Sequence, residues 1–248
     1  MSLVEHLNVS VGDWSPSILR NSSSAAIRGH AARVNVFSIR RYGLGAPLYD
    51  LVSVERPVYR AGRVASVAGL ALRSGDRVLD VGCGTGLNFS LLVAAVGGSG
   101  EVVGVDASAA MLHQARRRIA RCSWGNVSVV CGDAVELQSL LTGQFDAVLF
   151  TYSLAVINGW RRAWLEALGL LRDGGRVVVA DTALPTGPWR LLRPLARLAL
   201  FTGGVDASRQ VWNVVLTDTD APSHWVLKGG HIHVAAGTKS ISDARAST

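Results

Sequence analysis

From Val78 onward, short apolar runs alternate with longer amphipathic stretches, the pattern of buried parallel strands and the helices that cover them. The apolar runs end at Asp80, Val105, Val130, Phe150 and Ala180, which predicts strands closing at Asp80 and over Glu101–Val105, Val127–Val130, Phe145–Phe150 and Arg176–Ala180. Between them, Leu87–Val96 reads as a helix. A second begins at the cap Ser108 and turns Met111, Leu112, Ala115 and Ile119 to one face, with Arg116, Arg117, Arg118 and Arg121 towards its C-terminal half. Gly159–Leu171 predicts a third helix, stopped by Asp173-Gly174-Gly175. Upstream, Glu55–Leu72 carries an apolar stripe of Val58, Ala61, Val64, Ala65, Ala68 and Leu72, with Pro57 in its first turn and Ser74-Gly75-Asp76 at its end. Such alternation predicts an α/β fold with a doubly wound, mostly parallel sheet.

The two ends of the chain break this rhythm. Residues 1–41 lack periodicity and read as a weakly ordered extension; 42–239 form the domain and 240–248 a tail. Near the C-terminus, Ser223–Lys239 reads as two short strands around Gly229-Gly230, an antiparallel hairpin that brings the expected sheet to seven strands. Before it, Trp189–Phe201 places Arg190, Arg193 and Arg197 on one helical face and leucines with Phe201 over most of the rest. An interfacial helix has this form, and so does a packing helix kinked at Pro194 with a solvated basic face.

Composition narrows the class. A length of 248 residues suits one domain with extensions, and 49% hydrophobic content at a mean hydropathy of +0.28 is high for a soluble chain. Charges nonetheless interrupt every apolar stretch before the roughly 18 residues a spanning helix needs. No basic segment followed by an apolar one marks a signal peptide at the N-terminus, and three cysteines without metal spacing fit a reducing cytoplasm. The net charge of +7 permits an anionic membrane or a polyanion as partner. No basic ribbon interleaved with aromatics appears, so nucleic acid is the lesser reading.

The chemistry concentrates in Val78–Gly86, V-L-D-V-G-C-G-T-G. Glycine at 82, 84 and 86 permits a tight turn and close approach of backbone amides to a ligand. The dinucleotide fingerprint requires its third glycine at 87, where Leu87 stands. Asp106 then closes the second strand twenty residues after Gly86, placed to accept both hydroxyls of a ribose. The third strand leads into Cys131-Gly132-Asp133-Ala134. Together the glycine loop, the string Asp106–Ala115 and the Gly-Asp-Ala corner resemble the first three motifs of class I S-adenosylmethionine (AdoMet)-dependent methyltransferases. That resemblance implies a Rossmann-like methyltransferase fold and AdoMet as cofactor. The cofactor would be held by Asp80, Gly82, Cys83, Gly84, Gly86, Asp106, Ala107, Met111, Gly132, Asp133 and Ala134, with adenine at the last three. The closing hairpin is similar to that of quinone-biosynthesis C-methyltransferases. Tyr42–Leu51, with the arginines at 56, 60 and 63, resembles the entry segment of those enzymes and of bacterial phospholipid N-methyltransferases.

The resemblance implies a small, lipophilic methyl acceptor, a quinol ring or a phospholipid amine, and a cytoplasmic enzyme that contacts the inner face of an anionic membrane. Nucleic-acid methylation is a second reading, disfavoured because Phe150-Thr151-Tyr152-Ser153 lacks the prolines of base-amine methylases. A non-catalytic AdoMet-binding regulator is a third. Tyr152, Asp181 and His224, at expected strand ends, are the candidates to orient or deprotonate a nucleophile. Tyr42 and Tyr49 are candidates to close over the methionine end of the cofactor. His231 and His233 alternate on the expected strand and so share a face, but no third ligand is legible and no metal is expected.

Overall fold

The computed structural model describes residues 59–194, 197 and 209–241; the expected N-terminal extension, Tyr42, Tyr49 and Pro57 lie outside them. Helix α1, Arg60–Gly69, is followed by β1, Arg77–Val81, and α2, Phe89–Val96. Then come β2, Glu101–Asp106; α3, Ala109–Cys122; β3, Val127–Cys131; a 3₁₀ turn, Ala134–Glu136; and α4, Leu137–Leu140. Strand β4, Phe145–Thr151, leads through a 3₁₀ turn, Leu154–Val156, to α5, Trp160–Leu170, and β5, Leu171–Thr182. After a 3₁₀ turn, Gly187–Leu192, the described chain resumes before α6, Asn213–Asp218, and closes with β6, Asp220–Leu227, and β7, Ile232–Thr238.

The seven strands form one sheet in the order β3-β2-β1-β4-β5-β7-β6. The first five are parallel, and β7 returns antiparallel between β5 and β6. Chain direction reverses outward from β1, so the tips of β1 and β4 flank the switch point where ligands of such sheets bind. Both faces are covered. Phe89, Leu92, Leu112, Val78 and Val178 pack on one side; Trp164, Phe145, Phe150, Leu137 and Leu171 fill the other. A fully buried side chain of this size stabilises the fold by roughly 1.5–3 kcal/mol, so continuous apolar strands are what this architecture requires.

Three details depart from the sequence expectation. Helix α2 starts at Phe89 rather than Leu87, because Asn88 turns its side chain inward to Asp80. Strand β5 begins at Leu171, where the expected helix ended, and runs through Asp173-Gly174-Gly175. There Lys239 supplies backbone partners to Gly174 and Gly175, and the β4 register shifts between Phe145 and Ala147. The basic segment opens as a 3₁₀ turn over Gly187–Leu192 rather than as an α-helix, and most of its remainder lies outside the described residues.

Candidate active site

Five parallel strand tips and the start of β7 line one end of the sheet. The loop after β1 is fastened to β2, since the amides of Gly82 and Cys83 both donate to the Val105 carbonyl at 2.8 and 3.0 Å. Within that loop the glycines serve different ends. A Cβ at Gly82 would overlap Ser153, and one at Gly86 would overlap the Phe89 ring, so both answer to packing. Gly84 holds φ +56 and a Cβ there would meet nothing within 4 Å. Its open side leaves the backbone accessible to close approach.

Asp106 borders this opening. Its carboxylate accepts from the Gly84 amide at 2.9 Å and from the Ser108 amide at 2.8 Å, one bond to each oxygen. A carboxylate oxygen has a second lone pair, so two hydroxyls can still be received. Burial raises the Asp106 carboxyl above its ordinary value, and the two amides oppose that shift. Ser108 caps α3 through the Met111 amide at 3.4 Å, which fixes the direction in which the chain leaves the tip. Ala107 is exposed beside Asp106, whereas Met111 and Ala134 are buried. At β3, the Gly132 amide donates to the Asp106 carbonyl at 3.1 Å, and Asp133 accepts from the Val135 amide at 3.1 Å. The glycines of the β1 loop and the acids at the β2 and β3 tips thus share one ledge, and the open cradle at Gly84 together with Asp106 fits an adenosyl cofactor. Asp80, expected among the cofactor's contacts, is instead buried under Asn88.

Beneath the ledge, Asp80 is fully buried, and burial raises its carboxyl to about 7. Asn88 donates to both of its oxygens, and to Thr151 Oγ1 at 2.6 Å, while Arg63 Nη1 donates to Asn88 Oδ1 at 3.1 Å. Nothing local in the sequence marks Asn88 as the hub of β1, β4 and α1; its partners lie up to 63 positions away. Cys83 is buried, and burial lifts its thiol well above the ordinary value, so it stays a neutral filler of the loop.

The expected catalytic groups separate. Tyr152 stands at the β4 tip with φ +56, and its hydroxyl donates to the Tyr59 carbonyl at 2.9 Å. Arg63 lies over its ring at 5.2 Å, and Tyr59 meets it edge-on at 5.1 Å. Asp181 is buried with a carboxyl raised to about 6 by burial, and its oxygens accept the amides of Thr182 and Ala155 at 2.7 and 3.3 Å. Its role is to pin the turn after β4 to the β5 tip. His224 lies within β6 opposite Ala235, three residues back from the Leu227–Ile232 pair that ends the ladder. There its Nε2 lies 3.0 Å from His233 Nδ1, and His233 stacks on Trp212 at 4.1 Å; partial burial lowers both imidazoles. His231 does not share that face. It occupies the turn before β7, its Nδ1 lies 2.6 Å from the Ala183 carbonyl, and its ring lies 6.1 Å from Tyr59.

A methyltransferase-domain family matches residues 78–175. Demethylmenaquinone methyltransferase of Staphylococcus aureus is 36% identical over 141 residues, 57% of this chain and 56% of that protein. The chain thus spans little more than half the length of the curated relatives it matches. Among solved structures, phosphoethanolamine N-methyltransferase 2 of Haemonchus contortus in complex with AdoMet aligns with a TM-score of 0.58 at 15% identity, over 73% of this chain and 53% of that one. The YcgJ protein of Bacillus subtilis aligns with a TM-score of 0.52 at 18% identity, over 74% of this chain and 100% of that one. At such identities the structural likeness speaks for the fold alone. The family match falls on the strands that build the ledge, so the stretch 78–175 is similar to a methyltransferase domain.

Proposed function

We propose that the protein transfers the AdoMet methyl group to the ring of a reduced, lipophilic quinone. The observation that carries this reading is the order of side chains along the sheet end. The β1 glycine loop and the acids of the β2 and β3 tips come first, and Tyr152, Tyr59 and His231 follow beyond β4 and β5. Strands lie about 4.8 Å apart, so two spacings span about 10 Å, the reach of a cofactor lying from Asp106 to the β4 tip. An acceptor then meets an aromatic wall suited to a flat ring. The bound cofactor supplies a methyl group already activated on a sulfonium. The chain aligns acceptor and methyl, excludes water and takes the proton that a ring hydroxyl must lose. That the Staphylococcus relative is a demethylmenaquinone methyltransferase favours a quinone over an amine.

A lipophilic acceptor resides in a membrane, and the rim of the site suits contact with one. Trp189 and Leu191 are 55% and 88% exposed, Arg190 and Lys228 are exposed near them, and the half-buried Arg193 donates its Nε to the Pro185 carbonyl at 2.9 Å. Trp189 covers Gly229 in the turn of the closing hairpin, and the Thr186 amide donates to the Gly229 carbonyl at 2.8 Å. Exposed apolar tips flanked by arginine are what anionic lipid attracts. Among the described residues, no helix is long and apolar enough to cross a membrane.

The test is turnover of labelled AdoMet against reduced demethylmenaquinone, phosphatidylethanolamine vesicles and total RNA, with the product identified by mass. A methylated quinone supports the reading. A methylated lipid amine or RNA replaces the acceptor, and AdoMet binding without any product leaves a regulator.

A further inference from the structure

Resting on the quinol reading, we propose that His231 is the base that takes the hydroxyl proton of the acceptor. The turn geometry carries the argument. Its Nδ1 lies 2.6 Å from the Ala183 carbonyl, and a carbonyl only accepts, so Nδ1 bears the hydrogen. That bond fixes the tautomer in which Nε2 keeps its lone pair. The Ala183 amide in turn donates to the His231 carbonyl at 2.8 Å, so backbone and ring are both held against the end of β5. The imidazole is only partly buried, and no hydrogen bond from Nε2 occurs among the described residues.

Position agrees with this orientation. A chain of contacts runs from Asp80 through Asn88, Arg63 and Tyr152 to Tyr59, whose ring adjoins His231. His231 therefore stands on the acceptor side of β4, away from the ledge of acids, with the exposed Trp189 on the neighbouring Gly229. The alternatives are occupied. The Tyr152 hydroxyl gives its hydrogen to Tyr59, Asp181 serves two amides, and His224 faces His233 on the outer strands.

In the proposed step the acceptor hydroxyl proton passes to Nε2 and the oxygen keeps the electron pair. The ring carbon so enriched forms the bond to methyl while the methyl–sulfur bond breaks, its pair remaining on sulfur. The same carbon then releases its hydrogen as a proton, the phenolate recovers its own from His231, and one proton leaves overall.

Two readouts test the assignment. The first uses no methyl transfer: 4-nitro-1-naphthol, whose phenolate absorbs visible light, is bound to the AdoMet-free protein at fixed pH. Wild type is expected to hold more phenolate than free dye, and His231→Asn, which keeps a donor for Ala183 but has no Nε2, to lose that excess. His113→Asn on the exposed side of α3 should retain it. The second is turnover of reduced demethylmenaquinone. His231→Asn should lower kcat about a hundredfold or more at similar KM, with AdoMet affinity unchanged, and added imidazole should restore part of the rate. No phenolate excess in wild type, or an excess that persists in His231→Asn, overturns the base assignment. A phenolate excess without quinone turnover in wild type overturns the quinol reading and leaves His231 a proton acceptor for another phenol.

Discussion

Asn88 donates its side-chain amide to both oxygens of Asp80, each at 3.0 Å, in a site with no access to water. One amide group cannot replace the hydration of a carboxylate, so burial prevails and the carboxyl rises from 3.8 to about 7. In the unfolded chain Asp80 loses its proton near 3.8; in the folded chain it holds the proton to about 7. Its contribution to stability is therefore complete below pH 4 and disappears as pH rises through 7. A shift of one unit corresponds to about 1.4 kcal/mol, so the loss is on the order of several kcal/mol. Asp80→Asn cannot ionise. Thermal melts at pH 5 and pH 8 should show wild type losing stability relative to Asp80→Asn as pH rises; parallel shifts in the two proteins would refute the burial argument.

The same group links cofactor binding to protons. AdoMet carries positive charge, and a cation above Asp80 favours the ionised carboxylate. Affinity should rise as pH passes through 7, and binding near neutrality should release protons. Calorimetry in buffers of different ionisation enthalpy measures that release, and none should be found with Asp80→Asn.

Asp106→Ala removes the charged acceptor from the ledge. Loss of a charge-assisted hydrogen bond costs about 1.5–3 kcal/mol, or roughly ten- to a hundredfold in AdoMet affinity. Because Gly84 and Ser108 also lose their acceptor, the loop itself loosens, and Asp106→Asn separates the two effects. Equal affinity in all three proteins would take Asp106 out of the site.

The glycines of the loop should divide by assay. Gly82→Ala meets Ser153 and should lower the melting temperature. Gly84→Val meets open space, so the fold should persist, weakened by roughly 1–2 kcal/mol for the left-handed backbone, while AdoMet binding is lost. A Gly84→Val protein that binds AdoMet normally would mean the cradle lies elsewhere.

Replacing the exposed Arg190 and Arg197 by Gln should remove about 1 kcal/mol of lipid attraction per residue, roughly thirtyfold in partitioning to anionic vesicles, whereas Arg193 is held to the Pro185 carbonyl. AdoMet affinity should hold, and wild-type binding should weaken with salt. Wild type that stays in the supernatant of a low-salt cosedimentation would end the membrane reading.

All seven strands were legible in advance, and the part of the site that was legible is the part whose logic is local. Asp80, the glycine turn, Asp106 and Gly132-Asp133 each declare themselves within a few residues of a strand end. What escaped was set by distant partners. Asn88 delays α2 because Asp80 lies beneath it, and His231 acquires its orientation from a carbonyl 48 positions earlier. Helix α6 is too short to announce itself. It forms because Val214 and Val215 are buried and Trp164 Nε1 donates to Asp218 at 3.0 Å.

Ala183 and His231 share one backbone bond in one direction and a ring bond in the other, so the exit of β5 and the turn before β7 form one bracket. No member of that bracket belongs to the strands carrying the glycine loop or the two acids beside it. On the proposed acceptor placement, variation confined to 184–190 and 228–230, with Ala183 and His231 kept, would reshape what the domain accepts while its grip on the donor is inherited intact.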